Sequence, residues 1–210
     1  MSNILIVGQC AKLRVSMSTD PDVALFAITG AARVSRGEPT EQSGSYSNEC
    51  NERLVKNLLE WGHMTPFEFV NLYFEIVTSR AVARQLLRHR HAGYVMESQR
   101  YCDYEDCLPV LDHKPNEMSH GIFMDAARFA HDAYISLIHK GMKAEDARVV
   151  LPECVATKIA MCCNLREFRH ILSLRLDESA WAPIRELGWM MREEFLQYYP
   201  HILLDGVLKG

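Results

Sequence analysis

The sequence has no long apolar run, no excess of positive charge and no paired-cysteine motif. No apolar stretch approaches the ~20 residues of a membrane span, so we expect no membrane partner. The net charge is −4 at pH 7, and the overall basic footprint of a nucleic-acid-binding protein is missing. The seven cysteines include no C-x-x-C pair and no zinc-ligand spacing, so we expect no metal site.

The length, cysteine count and composition are those of an ordinary globular protein. Residues 1–10 are too short for a signal sequence, and the odd number of cysteines suits free thiols, so we expect a reducing, cytoplasmic setting. With 210 residues, one core and a single catalytic domain over residues 1–210 are expected. The 48% hydrophobic and 24% charged content is typical of globular proteins.

Hydrophobic patterns predict an α+β fold, with helices packed around a small, mostly antiparallel sheet. Residues 3–8 read as a short buried strand. In residues 68–78, Val70, Leu72 and Phe74 alternate with polar residues, which predicts a half-buried strand. The segment 37–47, rich in Gly, Ser, Glu and Pro, is a candidate lid.

Helix signals are also clear. Asp20 followed by Pro21 is typical of a helix start, and further helices should cover residues 51–61 and 117–140. The side chains that this periodicity turns inward are Val23, Phe26 and Ala27 in the first helix and Ile122, Phe129, Ala133 and Ile138 in the long one.

The most unusual stretch is an arginine-rich segment, predicted to be a helix that Ser79 caps. Arg80, Arg84 and Arg88 would share one face of a helix, although like charges at this spacing repel each other. Guanidinium groups match the oxygens of a bound phosphate, so a bound anion is one reading. A solvated basic helix face is the other.

Three more segments place arginines among apolar or capping residues. Arg148 precedes an apolar run and is either a snorkelling surface residue or a buried anion ligand. Asn164 can cap a helix in which Arg166 and His170 share a face, or Arg166 can simply pair with Glu167. Arg175 lies between two leucines and stays charged at any working pH.

Six ordered blocks of the sequence resemble the flavin-dependent thymidylate synthase family and span residues 31–175. They read Ala-Ala-Arg-Val-Ser at 31–35, Gly-His-x-Thr-Pro-Phe-Glu at 62–68, Arg-Gln-x-x-Arg-His-Arg at 84–90, Ala-Arg-x-Val-Leu-Pro at 147–152, Asn-x-Arg at 164–166 and Leu-Arg at 174–175. The Arg-His-Arg block continues to Ser98 and Arg100 at the family's spacing.

The resemblance implies the fold of that family and an enzyme that reductively methylates dUMP to dTMP. The one-carbon donor would be methylenetetrahydrofolate, and FAD reduced by NADPH would supply the hydride. A homotetramer with active sites shared between subunits is implied, without nucleic-acid or membrane partners. The flavin site implied by the resemblance comprises Ser35, His63, Thr65, Glu68, Arg88, His89 and Arg90, with Asn164, Arg166 and His170 from another chain.

The resemblance also implies a dUMP site and a catalytic residue. Arg175 would lie against the uracil ring, where a fixed donor stabilises developing negative charge, while Arg100 and Arg148 would meet the phosphate. The implied dUMP-binding residues are Arg84, Gln85, Arg88, Glu97, Ser98, Gln99, Arg100, Arg148 and Arg175. Because flavin does the hydride chemistry, no cysteine nucleophile is required, and Ser98 is expected to be a hydrogen-bonding serine.

One departure from the family pattern concerns the carboxylate near the flavin edge. Many members carry Asn-Glu where this chain has Val95 and Met96, and Glu97, one residue later, is the candidate replacement. The shift leaves open a different C5 product, such as a hydroxymethyl group, in a related flavoenzyme. A non-catalytic nucleotide- or RNA-binding protein is a further alternative, against which the acidic net charge argues.

Overall fold

The structure, a computed structural model, describes residues 3–14, 20–38, 45–113, 117–200 and 202. Its strands are β1 (Ile4–Val7), β2 (Cys10–Arg14), β3 (Asn71–Ser79), β4 (Gly93–Met96), β5 (Leu108–Leu111) and β6 (Ala156–Asn164). Its helices are α1 (Pro21–Val34), α2 (Asn48–Glu60), α3 (Arg80–Leu86), α4 (Glu117–His139), α5 (Ala144–Ala147), α6 (Leu165–Arg175) and α7 (Ala182–Tyr198). Short 3-10 helices cover Thr65–Phe69 and Arg148–Val150. The predicted α+β class is confirmed.

The larger sheet has the strand order β2-β3-β6-β4. Along β3 and β6 the amide of Arg80 bonds to the carbonyl of Val155, and the amide of Leu165 bonds to the carbonyl of Val70. Residue numbers that rise on one strand while they fall on its neighbour define an antiparallel pair. The small antiparallel sheet was therefore predicted correctly, but a second sheet was not: β1 pairs in parallel with β5, with Ile4 opposite Leu108.

Contacts divide the chain into two units. Unit 1 comprises Met1–Cys10, Ile76–Arg88 and Val95–Ala160, and unit 2 comprises Ala11–Glu75, His89–Tyr94 and Met161–Gly210. The core of unit 1 includes Tyr104, Leu108, Val110, Tyr134 and Val155. In unit 2 the rings of Phe74, Phe168, Phe195 and Tyr199 follow one another at centroid distances of 4.9 to 5.3 Å.

Capping residues begin the helices where the sequence predicts them. The Asp20 carboxylate accepts a hydrogen bond from the Asp22 amide, with Pro21 in the first turn of α1. Ser79 caps α3 through the amide of Val82, and Asn164 caps α6 through the amide of Glu167. Each cap satisfies a donor that the helix cannot satisfy itself.

Several predicted inward faces are wrong. In α1 the buried residues include Ala24, Leu25 and Ile28, whereas Val23 and Phe26 are exposed. In α4, Ile122 is 74% exposed and Phe129 is 78% exposed. The sequence contains apolar residues on more than one face of each helix, so periodicity alone does not select the face that tertiary packing buries.

Other differences concern strands and segment ends. The strand at residues 3–8 exists, but Leu5 and Ile6 are exposed rather than buried. The arginine helix α3 ends at Leu86, so Arg88 lies beyond it and does not continue the face of Arg80 and Arg84. The strand predicted from residue 68 begins at Asn71, after the 3-10 turn.

Two further predictions concern the candidate lid and membrane-spanning segments. Within the candidate lid at 37–47, residues 39–44 lie outside them. Among the described helices, none combines the length and apolar character that crossing a membrane requires.

Candidate active site

A cleft of about 550 Å³ in unit 2 is the first part of the candidate site. Four of the predicted flavin residues line it: Ser35, His63 and Thr65, together with Arg166 from the start of α6. Apolar side chains cover the rest of its wall, including Leu58, Met64 and Phe69. We call this space the flavin cleft after the predicted flavin residues that line it. Its apolar wall with few polar groups is typical of small-molecule sites.

A glycine turn shapes this cleft. Gly62 follows α2 with φ of +71°, a left-handed conformation that glycine adopts without steric cost. Its amide bonds to the carbonyl of Leu59, and the His63 amide bonds to the carbonyl of Leu58. The chain then enters the 3-10 helix at Thr65 and Pro66, so helix termination places His63 and Thr65 on the cleft wall.

Arg166 and Glu68 form an ion pair at the flavin cleft. Nη1 of Arg166 lies 2.5 Å from Oε1 of Glu68, and both side chains are about half exposed. An ion pair this exposed contributes little to stability, so a ligand can replace it at small cost. That Arg166 serves a flavin bound to another chain, as the resemblance implies, stays a prediction.

The second part of the site is the contact between Arg175 and His89. Nε of Arg175 donates a hydrogen bond to Nε2 of His89 at 2.9 Å. His89 is buried, and burial, followed by the charge of Arg175 and then His170, lowers the pKa of His89 from 6.5 to about 4. The ring is therefore neutral near pH 7, which is what allows Nε2 to accept.

Two residues that the sequence analysis missed surround this contact. Oε1 of buried Glu167 lies 3.8 Å from Nδ1 of His89, so its charge favours the tautomer with hydrogen on Nδ1. Burial raises the pKa of Tyr94, with Cys163 and Glu167 adding to the rise and Arg175 opposing it. Glu167 directly follows the Asn-x-Arg block, and Tyr94 lies between the Arg-His-Arg block and Ser98. Their closeness in sequence to these motifs could have identified both as site residues.

Close packing of α7 holds the end of α6 that carries Arg175. A Cβ atom added to Gly188 of α7 would lie 3.0 Å from Leu176 and 3.7 Å from the Cβ of Arg175. A side chain at this position would require the Leu176 Cδ2 methyl group to shift slightly. The other predicted residue of α6, His170, lies with its ring centroid 5.9 Å from that of His89.

Unit 1 carries most of the predicted dUMP residues. Nε of Arg100 donates to the Glu145 carboxylate at 2.9 Å, and Nε of Arg148 donates to the Glu145 carbonyl at 3.0 Å. Ser98 accepts a hydrogen bond from the Arg100 amide. Arg100 and Arg148 thus both hydrogen-bond Glu145, so two of the predicted phosphate ligands share one neighbour.

The remaining predicted residues of the arginine-rich segment and the 98–100 turn differ in burial and pairing. Arg84 pairs with Glu153 at 2.7 Å on the surface. Gln99 is buried, whereas Gln85 is partly buried. Arg88 in unit 1 and Arg90 in unit 2 are exposed.

Glu97, the predicted replacement for the family's glutamate, has two partners within the protein. Its Oε2 accepts the Lys158 amide at 3.1 Å, and it hydrogen-bonds the Cys102 thiol, which helps raise the pKa of that thiol after burial. Val95, at the family's Asn position, is 75% exposed. β4 thus carries apolar Val95 and Met96 at the positions where the resemblance led us to expect Asn and Glu.

The low pKa of His89 predicts a specific pH dependence of stability. The unfolded chain binds a proton at this histidine near pH 6.5, whereas the folded chain does so only near 4, so stability falls as the pH falls between those values. At ~1.4 kcal/mol per pKa unit, His89 accounts for a loss of about 2 kcal/mol between pH 7 and pH 5.

The test is urea unfolding of the protein and of His89→Gln at both pH values. The glutamine oxygen can still accept from Arg175, but it does not titrate. We expect the variant to lose about 2 kcal/mol less than the unsubstituted protein on acidification. Equal losses in the two proteins would show that His89 is not held neutral by the fold.

Comparisons with known proteins identify relatives along nearly the whole chain. The family model described as thymidylate synthase complementing protein matches residues 17–201. The flavin-dependent thymidylate synthase of Thermococcus kodakarensis is 33% identical over 193 residues, which cover 87% of this chain and 78% of the relative. That of Geobacter sulfurreducens is 38% identical over 164 residues, 74% of this chain and 71% of the relative.

A solved structure supports the fold. The UMP/dUMP methylase PolB from Streptomyces cacaoi, bound with 5-Br dUMP, superposes with a TM-score of 0.79 at 23% identity, covering 95% of this chain and 94% of that one. At this identity the likeness concerns the fold alone. The family model and the sequence relatives carry the assignment: the chain belongs to the thymidylate synthase complementing protein family, whose relatives named above are flavin-dependent thymidylate synthases.

Proposed function

We propose that the protein is a flavin-dependent thymidylate synthase that converts dUMP to dTMP. Methylenetetrahydrofolate would donate the one-carbon unit, and FAD reduced by NADPH would be the hydride source. The observation that carries the proposal is the Arg175 guanidinium, fixed at 2.9 Å by a neutral, buried histidine. A charged donor held in place before the substrate arrives is what stabilisation of a developing anion requires.

The flavin cleft suits the proposed cofactor. Its volume of about 550 Å³ lies in the range of small-molecule sites, with apolar side chains for a flat ring and Ser35, Thr65 and Arg166 for its polar edge and phosphates. Bound FAD would supply the hydride chemistry. The protein's part is to hold the ring between the apolar walls and to limit its contact with water.

Arg175 is the proposed catalytic residue. Burial lowers its pKa, but arginine stays protonated in proteins, so the side chain keeps its positive charge beside neutral His89. C5 of uracil becomes nucleophilic as negative charge develops on the ring oxygens and N3, before C5 attacks the one-carbon unit. Arg175 would stabilise that charge, and Glu167 would hold the His89 tautomer that orients Arg175.

A cysteine nucleophile is not part of the proposal. Burial raises the pKa of Cys163 and Cys154, and it leads the rise in the pKa of Cys102. A thiol attacks as its thiolate, which burial disfavours. These three cysteines are therefore poor candidates for attack on the pyrimidine.

Arg148 is the proposed phosphate ligand with the clearest prediction. Arg148→Ala should raise the dissociation constant of dUMP at least tenfold, about 1.4 kcal/mol, because a charged hydrogen bond to phosphate is lost. Isothermal titration with dUMP measures it. Arg128→Ala is the matched control, since Arg128 is a surface arginine of unit 1 that pairs with Asp125, and it should bind dUMP normally. Unchanged affinity in Arg148→Ala would remove this residue from the phosphate site.

A homotetramer with shared active sites remains part of the proposal. The exposed Ile122 and Phe129 on α4 support burial of this helix against another copy. Light scattering of the purified protein measures the assembly. The cytoplasmic setting stays a prediction, consistent with seven free cysteines.

A related flavoenzyme with another C5 product is the second candidate. Val95 is exposed, and Glu97 accepts a hydrogen bond from the Lys158 backbone amide. These two observations favour the second candidate, because the carboxylate that the resemblance leads us to expect in β4 is missing there. The methylase of similar fold is named for both UMP and dUMP, so the nucleotide is a second variable.

The decisive assay supplies both nucleotides. The protein, FAD, NADPH and methylenetetrahydrofolate are incubated with dUMP or UMP, and the products are identified by mass spectrometry. We expect dTMP from dUMP. A hydroxymethyl product would establish the second candidate, and no product from either nucleotide would contradict both.

A further inference from the structure

A small pocket lies beside the flavin cleft and has no assigned role. We call it the Arg33 pocket. Its volume is about 120 Å³, and Arg33 and Arg36 line it together with residues that also line the flavin cleft, among them Ser35 and His63. A water molecule takes ~30 Å³ in the liquid, so the pocket has room for a carboxylate or phosphate group but not for a nucleotide.

Arg33 is an unusual lining residue because it is a buried charge with an unused donor. It is 4% exposed, and its guanidinium lies 3.8 Å above the ring of Tyr46. Its Nε is 3.9 Å from the Glu38 carboxylate. Among the described residues, none accepts a hydrogen bond from its buried Nη1. An unpaired buried donor on a charged group is costly, so a ligand oxygen at Nη1 would be stabilising.

The charges around the pocket select the ligand. Glu38 offsets one of the two arginines, and exposed Arg36 makes no ion pair with the part of the chain that the structure describes. The net charge of Arg33, Arg36 and Glu38 is therefore +1, which disfavours bound cations and attracts anions. Guanidinium groups pair well with the two oxygens of a carboxylate or phosphate.

We infer that the Arg33 pocket binds an anionic group of a ligand whose ring system occupies the flavin cleft. The inference rests on the proposed function, which supplies two ligands with such groups. Methylenetetrahydrofolate carries the carboxylates of its glutamate tail, and FAD carries a diphosphate. Arg33 and Arg36 would fix that tail or diphosphate while the ring lies against the neighbouring cleft wall.

The test uses two probes that need no turnover, inorganic pyrophosphate for the diphosphate and tri-γ-glutamate for the tail. Calorimetry gives their dissociation constants for the unsubstituted protein, Arg36→Gln and the control Arg53→Gln, which removes an exposed arginine of α2. We expect Arg36→Gln to weaken one probe at least tenfold, and the control to bind both within twofold. The affected probe identifies the ligand that the pocket serves.

A second variant keeps the test independent of folding. Arg33→Gln can unfold the protein, because it removes the cation that faces Glu38 and stacks on Tyr46, whereas Arg33→Lys keeps the charge and removes the planar fork. We expect Arg33→Lys to weaken the same probe at least tenfold.

The inference is overturned if the unsubstituted protein binds neither probe, or if both variants bind both probes within twofold of it. Failure of the proposed function looks different. In that case probe binding responds to the substitutions, but no methylated nucleotide forms with the full set of substrates.

Discussion

Arg175→Ala should lower kcat about 10²–10³-fold while the protein still binds FAD and stays yellow. The loss corresponds to removal of one fixed donor to a developing anion. Arg175 is not among the residues that line the flavin cleft, so flavin binding should survive. The measurement pairs steady-state turnover of dUMP with the flavin absorbance retained after desalting.

A graded control separates positioning from charge. His89→Gln keeps an acceptor for Nε of Arg175, so we expect it to retain much more activity than Arg175→Ala. Arg175→Lys keeps a charge but loses the planar donors, and should resemble the alanine variant. Near-normal turnover in Arg175→Ala would contradict the proposed catalytic role.

Phe168→Ala should lower the free energy of unfolding by about 3–5 kcal/mol. Phe168 is fully buried, with its ring 5.3 Å from that of Phe74 and 5.2 Å from that of Phe195. Truncation removes both aromatic contacts and leaves a cavity at the centre of unit 2. Urea denaturation monitored by circular dichroism measures the change.

Phe69→Ala is the matched control for this prediction. Phe69 is largely exposed, and substitution at an exposed position should change stability by no more than about 0.5 kcal/mol. Because Phe168 lies in the helix that also carries Arg166 and Arg175, its loss should reduce flavin retention as well. Similar stabilities for the two variants would mean that the aromatic row does not form the core.

Local signals in the sequence predict much of this fold. The alternation of Val70, Leu72, Phe74 and Ile76 predicts a strand, and all four side chains are buried. Caps at Asp20, Ser79 and Asn164 lie where the sequence places them. These features depend on residues that are neighbours in the sequence, which is why they can be predicted from a single sequence.

Features that depend on distant residues could not be predicted in this way. Arg166 pairs with Glu68, 98 residues away, rather than with adjacent Glu167, and Glu167 instead faces His89. The exposure of Ile122 and Phe129 likewise depends on which side of α4 the rest of the protein covers. The resemblance to the family identified Arg175 and His89 separately, whereas the hydrogen bond between them is visible only in the three-dimensional structure.

The most direct test of the account is an absorption spectrum of the purified protein with added FAD, recorded before and after dUMP and then NADPH. We expect flavin bands that persist through desalting, shift when dUMP binds and bleach when NADPH reduces the flavin. A protein that binds no FAD even when it is supplied in excess would contradict the central claim that the cleft beside Ser35, Thr65 and Arg166 is a flavin site.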